Sequence, residues 1–190
     1  ITASIARALG TGKRDNAERL VWHAIYGAAI GAAAFFILFV LFGRQLLLLL
    51  GGDGIILEMV MSYCWVLFGG GLVLWLGSSV GAVYRGAGDM TFPAKLMIMS
   101  AVLQVPLTAI LVFGLFGFPA LGVAGAAASS VAVGALMTGI LLFELWRGKR
   151  ALTLKPSQFG WRRELASDIL MVARPASLNP LMNVGTIFGL

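Results

Sequence analysis

Gln104 and Thr108 stand four residues apart within residues 96–143, a stretch that contains no Asp, Glu, Lys or Arg. In a helix that spacing puts the amide and the hydroxyl on one face. Pro106 between them removes a backbone donor and leaves a nearby carbonyl without its usual partner. Buried polar groups need partners, so two readings stand side by side: packing around a proline kink, or a polar patch lining a cavity and reached by water, an ion or a substrate. Neither side chain titrates near neutral pH, so neither can carry a proton. His23 is the single histidine and sits where another charge-free run begins. It reads as an interfacial anchor or packing residue, with proton transfer as the alternative. Cys64 is the single cysteine, which excludes an intrachain disulfide and says nothing of metal or redox chemistry. Solitary and on separate segments, His23 and Cys64 give no nucleophile–base pair and no ligand set, so no enzyme, metal site or cofactor is expected.

The elements that would hold these residues are membrane helices. Near the centre of residues 96–143 lies Gly114-Leu115-Phe116-Gly117-Phe118-Pro119, a turn signal that leaves an apolar arm on each side. Each arm approaches the roughly 20 residues that cross a hydrocarbon core of about 30 Å at 1.5 Å per residue. The pair reads as a transmembrane hairpin. Composition agrees: 59 % of the residues are hydrophobic and 12 % charged, about half the charged share of a soluble domain. Residues 20–43 and 59–84 are likewise free of Asp, Glu, Lys and Arg. The predicted fold is all-α, a multi-pass helical bundle. Ile1–Leu9 read as the tail of one helix and Leu190 stops inside another apolar run, so a fragment of a larger protein is expected.

Along the chain, Asp15 with Glu18 three positions on fits a capping box that opens a helix. A further helix starts near Asp53 or Ile55 and carries Glu58 early. Its interior holds Gly69-Gly70-Gly71, read as close helix packing with the backbone bonds kept, or as a bend at Gly70. Arg85-Gly86-Ala87-Gly88-Asp89 forms a compact loop that reads as a structural clamp rather than a substrate site, with Asp89 or Thr91 capping the helix that follows. In the second hairpin arm Gly122, Ala126, Ser130, Gly134 and Thr138 recur every four residues, a stripe suited to close helix packing. Glu144 to Arg163 is the longest polar connection, and a final helix begins near Arg163-Glu164, with Asp168 and Pro175, a candidate hinge.

Segments 11–19, 85–95 and 144–163 contain eleven of the fourteen basic residues, while 44–57 and 114–121 contain only Arg44. Lys and Arg mark cytoplasmic loops, so the basic set faces the cytoplasm. That bias also accounts for the net charge of +6 without nucleic acid.

Four motifs in this order resemble the multidrug and toxic compound extrusion (MATE) transporters: Ile5-Ala6-Arg7-Ala8-Leu9-Gly10-Thr11-Gly12-Lys13-Arg14-Asp15 with Glu18-Arg19; Tyr63 in a helix ending Tyr84-Arg85-Gly86-Ala87-Gly88-Asp89; Leu111-Val112-Phe113-Gly114; and Leu121-Gly122-Val123-Ala124-Gly125-Ala126-Ala127. The resemblance implies twelve helices in two six-helix halves around a central cavity. Residues 1–146 would belong to the first half (the end of helix 2 and helices 3 to 6), 147–163 to the cytoplasmic connection, and 164–190 to helix 7. It further implies a plasma-membrane antiporter, in a bacterial inner membrane, that exports small organic cationic or amphipathic compounds in exchange for sodium ions or protons. Lipid, and no obligatory protein partner, would surround it. Many members carry Asn and then Asp four residues later in helix 5, where this chain has Gln104 and Thr108. Some carry Glu in helix 7, where this chain has Asn183. The resemblance makes Gln104, Thr108, Asn179 and Asn183 cavity-lining candidates and leaves the coupling acid outside them. A lipid-linked precursor flippase of the same superfamily would line its cavity with several basic residues, and a channel would need repeated polar pore positions.

Overall fold

Inside hydrocarbon a chain finds no water for its amides, so its apolar runs must satisfy their own backbone bonds as helices. The computed structural model describes residues 1–148 and 152, and every described element is helical. A short helix α1, Thr2–Gly10, turns into α2, Arg14–Leu49. At 1.5 Å per residue α2 is about 54 Å long, so its ends stand clear of a hydrocarbon core of about 30 Å. Helices α3, Gly54–Gly69, and α4, Gly71–Gly86, follow one another with a bend of 51°. The hairpin follows as α5, Thr91–Phe113, a 3-10 turn, and α6, Val123–Arg147. By length and apolarity α2, α5 and α6 are each sufficient to cross a membrane, and the bent pair adds a fourth crossing if it forms one span. This is an integral membrane bundle. The proposed connection after residue 148, the final helix, Pro175, Asn179 and Asn183 lie outside the described residues.

Helix starts depart from expectation at one place. The helix of the expected Asp15 capping box begins at Arg14, with Lys13 at the cap and no side-chain cap bond. Asp15 is therefore already helical and cannot serve as the extended cap residue. Glu18 turns inward instead, 2 % exposed, with Arg14 Nε 3.7 Å from its carboxylate. At α5 the expectation holds, for the Phe92 N–H donates to Asp89 Oδ1 at 3.1 Å. The polar connection begins later than Glu144: α6 continues to Arg147, whose guanidinium lies 3.5 Å from Glu144.

The glycine run combines both of its readings. The helix breaks at Gly70, contrary to an uninterrupted ladder, although the Gly70 N–H still reaches Val66 O at 3.0 Å. A Cβ on Gly70 would collide with the Val131 side chain of α6, while Gly69 and Gly71 face open space. The chain turns the hairpin at Gly114, where φ is +71° and a Cβ would meet the Ala120 nitrogen at 2.8 Å. Only glycine fits there.

α6 is the common support, since it packs on α3, α4 and α5. Much of the expected stripe serves this packing. A Cβ on Gly134 would lie 2.5 Å from Leu74 of α4, and Thr138 Oγ1 donates to Val73 O at 3.1 Å. Gly122 does not belong to the stripe: it caps α6 with φ 55°, and a Cβ there would meet nothing within 4 Å. Gly125 makes the close approach at that end, where a Cβ would lie 2.5 Å from the Leu111 carbonyl oxygen. At the basic end α1, α2, α4 and α6 share a core around Ile5, Val21, Val83 and Leu145, and the Tyr84 hydroxyl donates to Leu141 O at 3.0 Å. Ile98, Val102 and Val105 leave one face of α5 apolar and uncovered, as suits contact with lipid.

Candidate functional site

Gln104 and Thr108 point from α5 toward two serines of α6. Gln104 Nε2 lies 3.0 Å from Ser129 Oγ, 2.9 Å from Ser130 Oγ and 3.3 Å from Thr108 Oγ1. Thr108 Oγ1 lies 2.7 Å from Ser129 Oγ. Both serine hydroxyls point their protons at one carbonyl, Ala126 O, at 2.8 and 3.1 Å. With those protons in use, the serine oxygens can only accept, so the Thr108 hydroxyl and the Gln104 amide group must donate to them. Ser129 is fully buried, and this network is what satisfies it.

The same logic fixes what the patch offers a visitor. Gln104 Oε1 accepts no hydrogen bond from the described residues and is not sealed from solvent. Gln104 and Ser130 line a cavity of about 480 Å³ between α4, α5 and α6. Leu74, Met97, Val133 and Met137 give that cavity an apolar wall. Arg85 is the one charged lining residue among the described residues. The cavity therefore combines a free acceptor, a guanidinium and an apolar surface.

The remaining sequence candidates sort by position. Pro106 lies on the exposed side of α5, two residues from each polar partner, so it does not share their patch. α5 continues unbroken through it. Ala126 contributes its carbonyl to the network, Ser130 its hydroxyl, and Gly134 a close seat for Leu74 beside the cavity. In the loop, Gly86 admits the Thr2 carbonyl, which would lie 2.7 Å from a Cβ. Gly88 adopts a positive φ of 88°. Asp89 acts as a cap. Arg85 accepts the Gly88 N–H at its carbonyl at 3.2 Å within the loop, while its side chain makes no ion pair among the described residues and lines the cavity. Two further groups escaped the sequence reading, Ser129 and the cavity-facing Ser100. The adjacent Ser129-Ser130 pair in a charge-free span was the available signal. His23 is buried, with Nδ1 2.9 Å from Arg19 O, and lies apart from this cavity.

The profile of the MatE family matches residues 1–110. A probable multidrug resistance protein NorM of Thermotoga maritima is 27 % identical over 177 residues, covering 93 % of this chain and 38 % of that protein. An FAD transporter of Shewanella oneidensis is 26 % identical over 188 residues, covering 96 % of this chain and 40 % of the relative. The chain thus spans about two fifths of the length of these relatives. Among solved structures, a MATE protein in a bent conformation superposes with a TM-score of 0.89 at 23 % identity, covering 98 % of this chain and 41 % of that one. The likeness in fold extends beyond the profile into the hairpin and α6. With more than half its residues under that profile and its helices in that arrangement, this chain belongs to the MatE family.

Proposed function

We propose that this chain forms part of a secondary transporter that exports amphipathic organic compounds in exchange for sodium ions or protons by alternating access. Residues 1–146 would belong to one six-helix half and 164–190 to the start of the other. Two repeats rocking around a shared midplane site would supply the access change. The observation that carries the reading is the cavity between α4, α5 and α6, which joins a polar patch with one open acceptor to an apolar wall inside a membrane bundle. Among the described residues no acid lines that cavity, and this reading assigns the coupling ion to a site elsewhere in the full-length protein.

Arg85 favours a second reading of the substrate. A lone guanidinium in the cavity attracts a carboxylate or phosphate and repels a cation, and one relative is named an FAD transporter. An amphipathic compound with an anionic group then fits better than a simple organic cation. A single basic residue falls short of the several that a lipid-pyrophosphate flippase would use.

Proteoliposomes of the full-length protein under separately imposed sodium and proton gradients test both readings, with fluorescent amphipathic cations and anions as cargo. Gradient-driven movement is expected, and its absence with either cargo would remove the transport reading. Gln104→Ala with Thr108→Ala should shift apparent substrate affinity about three- to tenfold, the scale of one or two neutral hydrogen bonds, while ion dependence stays. Uncoupled leak from the folded double variant would move the coupling site to this patch.

A further inference from the structure

A second polar cleft, of about 200 Å³, lies at the basic end of the bundle between the end of α1 and the start of α2. Ser4, Arg7 and Thr11 supply one wall, at the helical spacing that shares a face, and Lys13 and Asn16 supply the other. The side chains of Arg7, Lys13 and Asn16 make no hydrogen bond or ion pair with any described residue. Thr11 directs its hydroxyl at Arg7 O and Ala8 O, both at 3.1 Å. Ser4 is different. It is 7 % exposed, and its Oγ is buried with no partner. Ser62 and Ser100 each bond the carbonyl three residues back, an option that Ser4 leaves unused. A buried hydroxyl without a partner is costly, and here it lines a cleft together with two unpaired cations and a free amide.

These groups are donors, and two of them are positive. The start of a 36-residue helix adds the positive end of its dipole. Asp15 lines the adjoining cleft with Lys13 and Arg14, and Arg14 is engaged with Glu18. The ensemble faces the leaflet that the basic loops mark as cytoplasmic, where anionic headgroups concentrate and basic pockets between helices bind them. We propose that this cleft binds a phosphate-bearing anion at the cytoplasmic membrane surface, with Arg7 and Lys13 pairing its charge and Ser4 and Asn16 donating to its oxygens. A phospholipid headgroup and free phosphate share that chemistry.

The full-length protein in nanodiscs separates the two sources. Discs of pure phosphatidylcholine are titrated with inorganic phosphate, and compared with discs of equal parts phosphatidylcholine and phosphatidylglycerol. Thermal stability and the lipid retained in native mass spectra are the readouts. A phosphatidylglycerol-dependent rise in Tm with retained anionic lipid identifies the headgroup, whereas a rise on inorganic phosphate alone identifies the free ion. In either case Arg7→Gln with Lys13→Gln should weaken the response about tenfold or more, as expected for two basic contacts, and Lys95→Gln should leave it intact. Ser4→Ala keeps both charges. It should raise Tm in pure phosphatidylcholine by removing the unsatisfied hydroxyl, and reduce the gain from the anion. No anion-dependent gain in the wild type, or equal losses in the Arg7/Lys13 and Lys95 variants, would overturn the site.

Discussion

Asp89 holds two strands of backbone in register with one residue: its carboxylate receives the Phe92 N–H at 3.1 Å and its own N–H reaches Tyr84 O at 3.0 Å. Replacing an N-terminal cap of this kind with alanine costs about 0.5–2 kcal/mol. Asp89→Ala should lower the Tm and the yield of folded protein, Asp89→Asn should do so less, and transport per folded molecule should stay near wild type in both. Normal folding with lost transport would make Asp89 a substrate contact. The cap was legible in the sequence because it depends on neighbours three residues away. The patch was legible in part: a spacing of four put Gln104 and Thr108 together, but nothing in the chain order says that Ser129 and Ser130 face them. That depends on how α6 crosses α5, fixed by Gly125 against Leu111. Arg85 illustrates the same limit, for its place in the sequence gives the loop and its long side chain chooses the cavity.

At the scale of elements, the bent span rests on one glycine of three. Successive residues in a helix point about 100° apart, so only one member of Gly69-Gly70-Gly71 can meet α6, and it is Gly70 against Val131. Gly70→Ala should destabilise the bundle by about 1–3 kcal/mol, the usual cost of overpacking. Gly71→Ala should be neutral or should stabilise by up to about 1 kcal/mol, because alanine loses less backbone freedom on folding. Val131→Ala should restore much of the loss in Gly70→Ala, and a double-mutant cycle on Tm measures that coupling. Additive effects would show that α3 and α4 bend for a reason unrelated to α6. The helices themselves were plain from hydropathy, since in lipid the backbone has no alternative. The choice between bending and packing was not, because both follow from small residues and only the facing side chain decides how they combine.

For the molecule as a whole, the alternation of basic and non-basic loops orients every span. It predicts that Met90, in a basic loop, and Phe116, at the hairpin tip and 88 % exposed, lie on opposite sides of the membrane. In a cysteine-free background, Phe116→Cys should react with an impermeant maleimide in intact cells, and Met90→Cys only after permeabilisation. The reverse pattern would invert the topology. Orientation was readable in advance because charge bias is a property of composition and does not depend on packing.

The shared Ala126 carbonyl has an electrical consequence. A hydroxyl chain conducts protons only if each member can rotate and exchange the roles of giver and receiver. Ser129 and Ser130 are both tethered to the same oxygen, so neither turns without leaving its anchor. In this arrangement the donors of Gln104, Thr108, Ser129 and Ser130 converge on the Ala126 carbonyl, which ends the chain rather than passing a proton on. Under the proposed transport cycle, a driving proton is expected to travel by another helix rather than through this cluster.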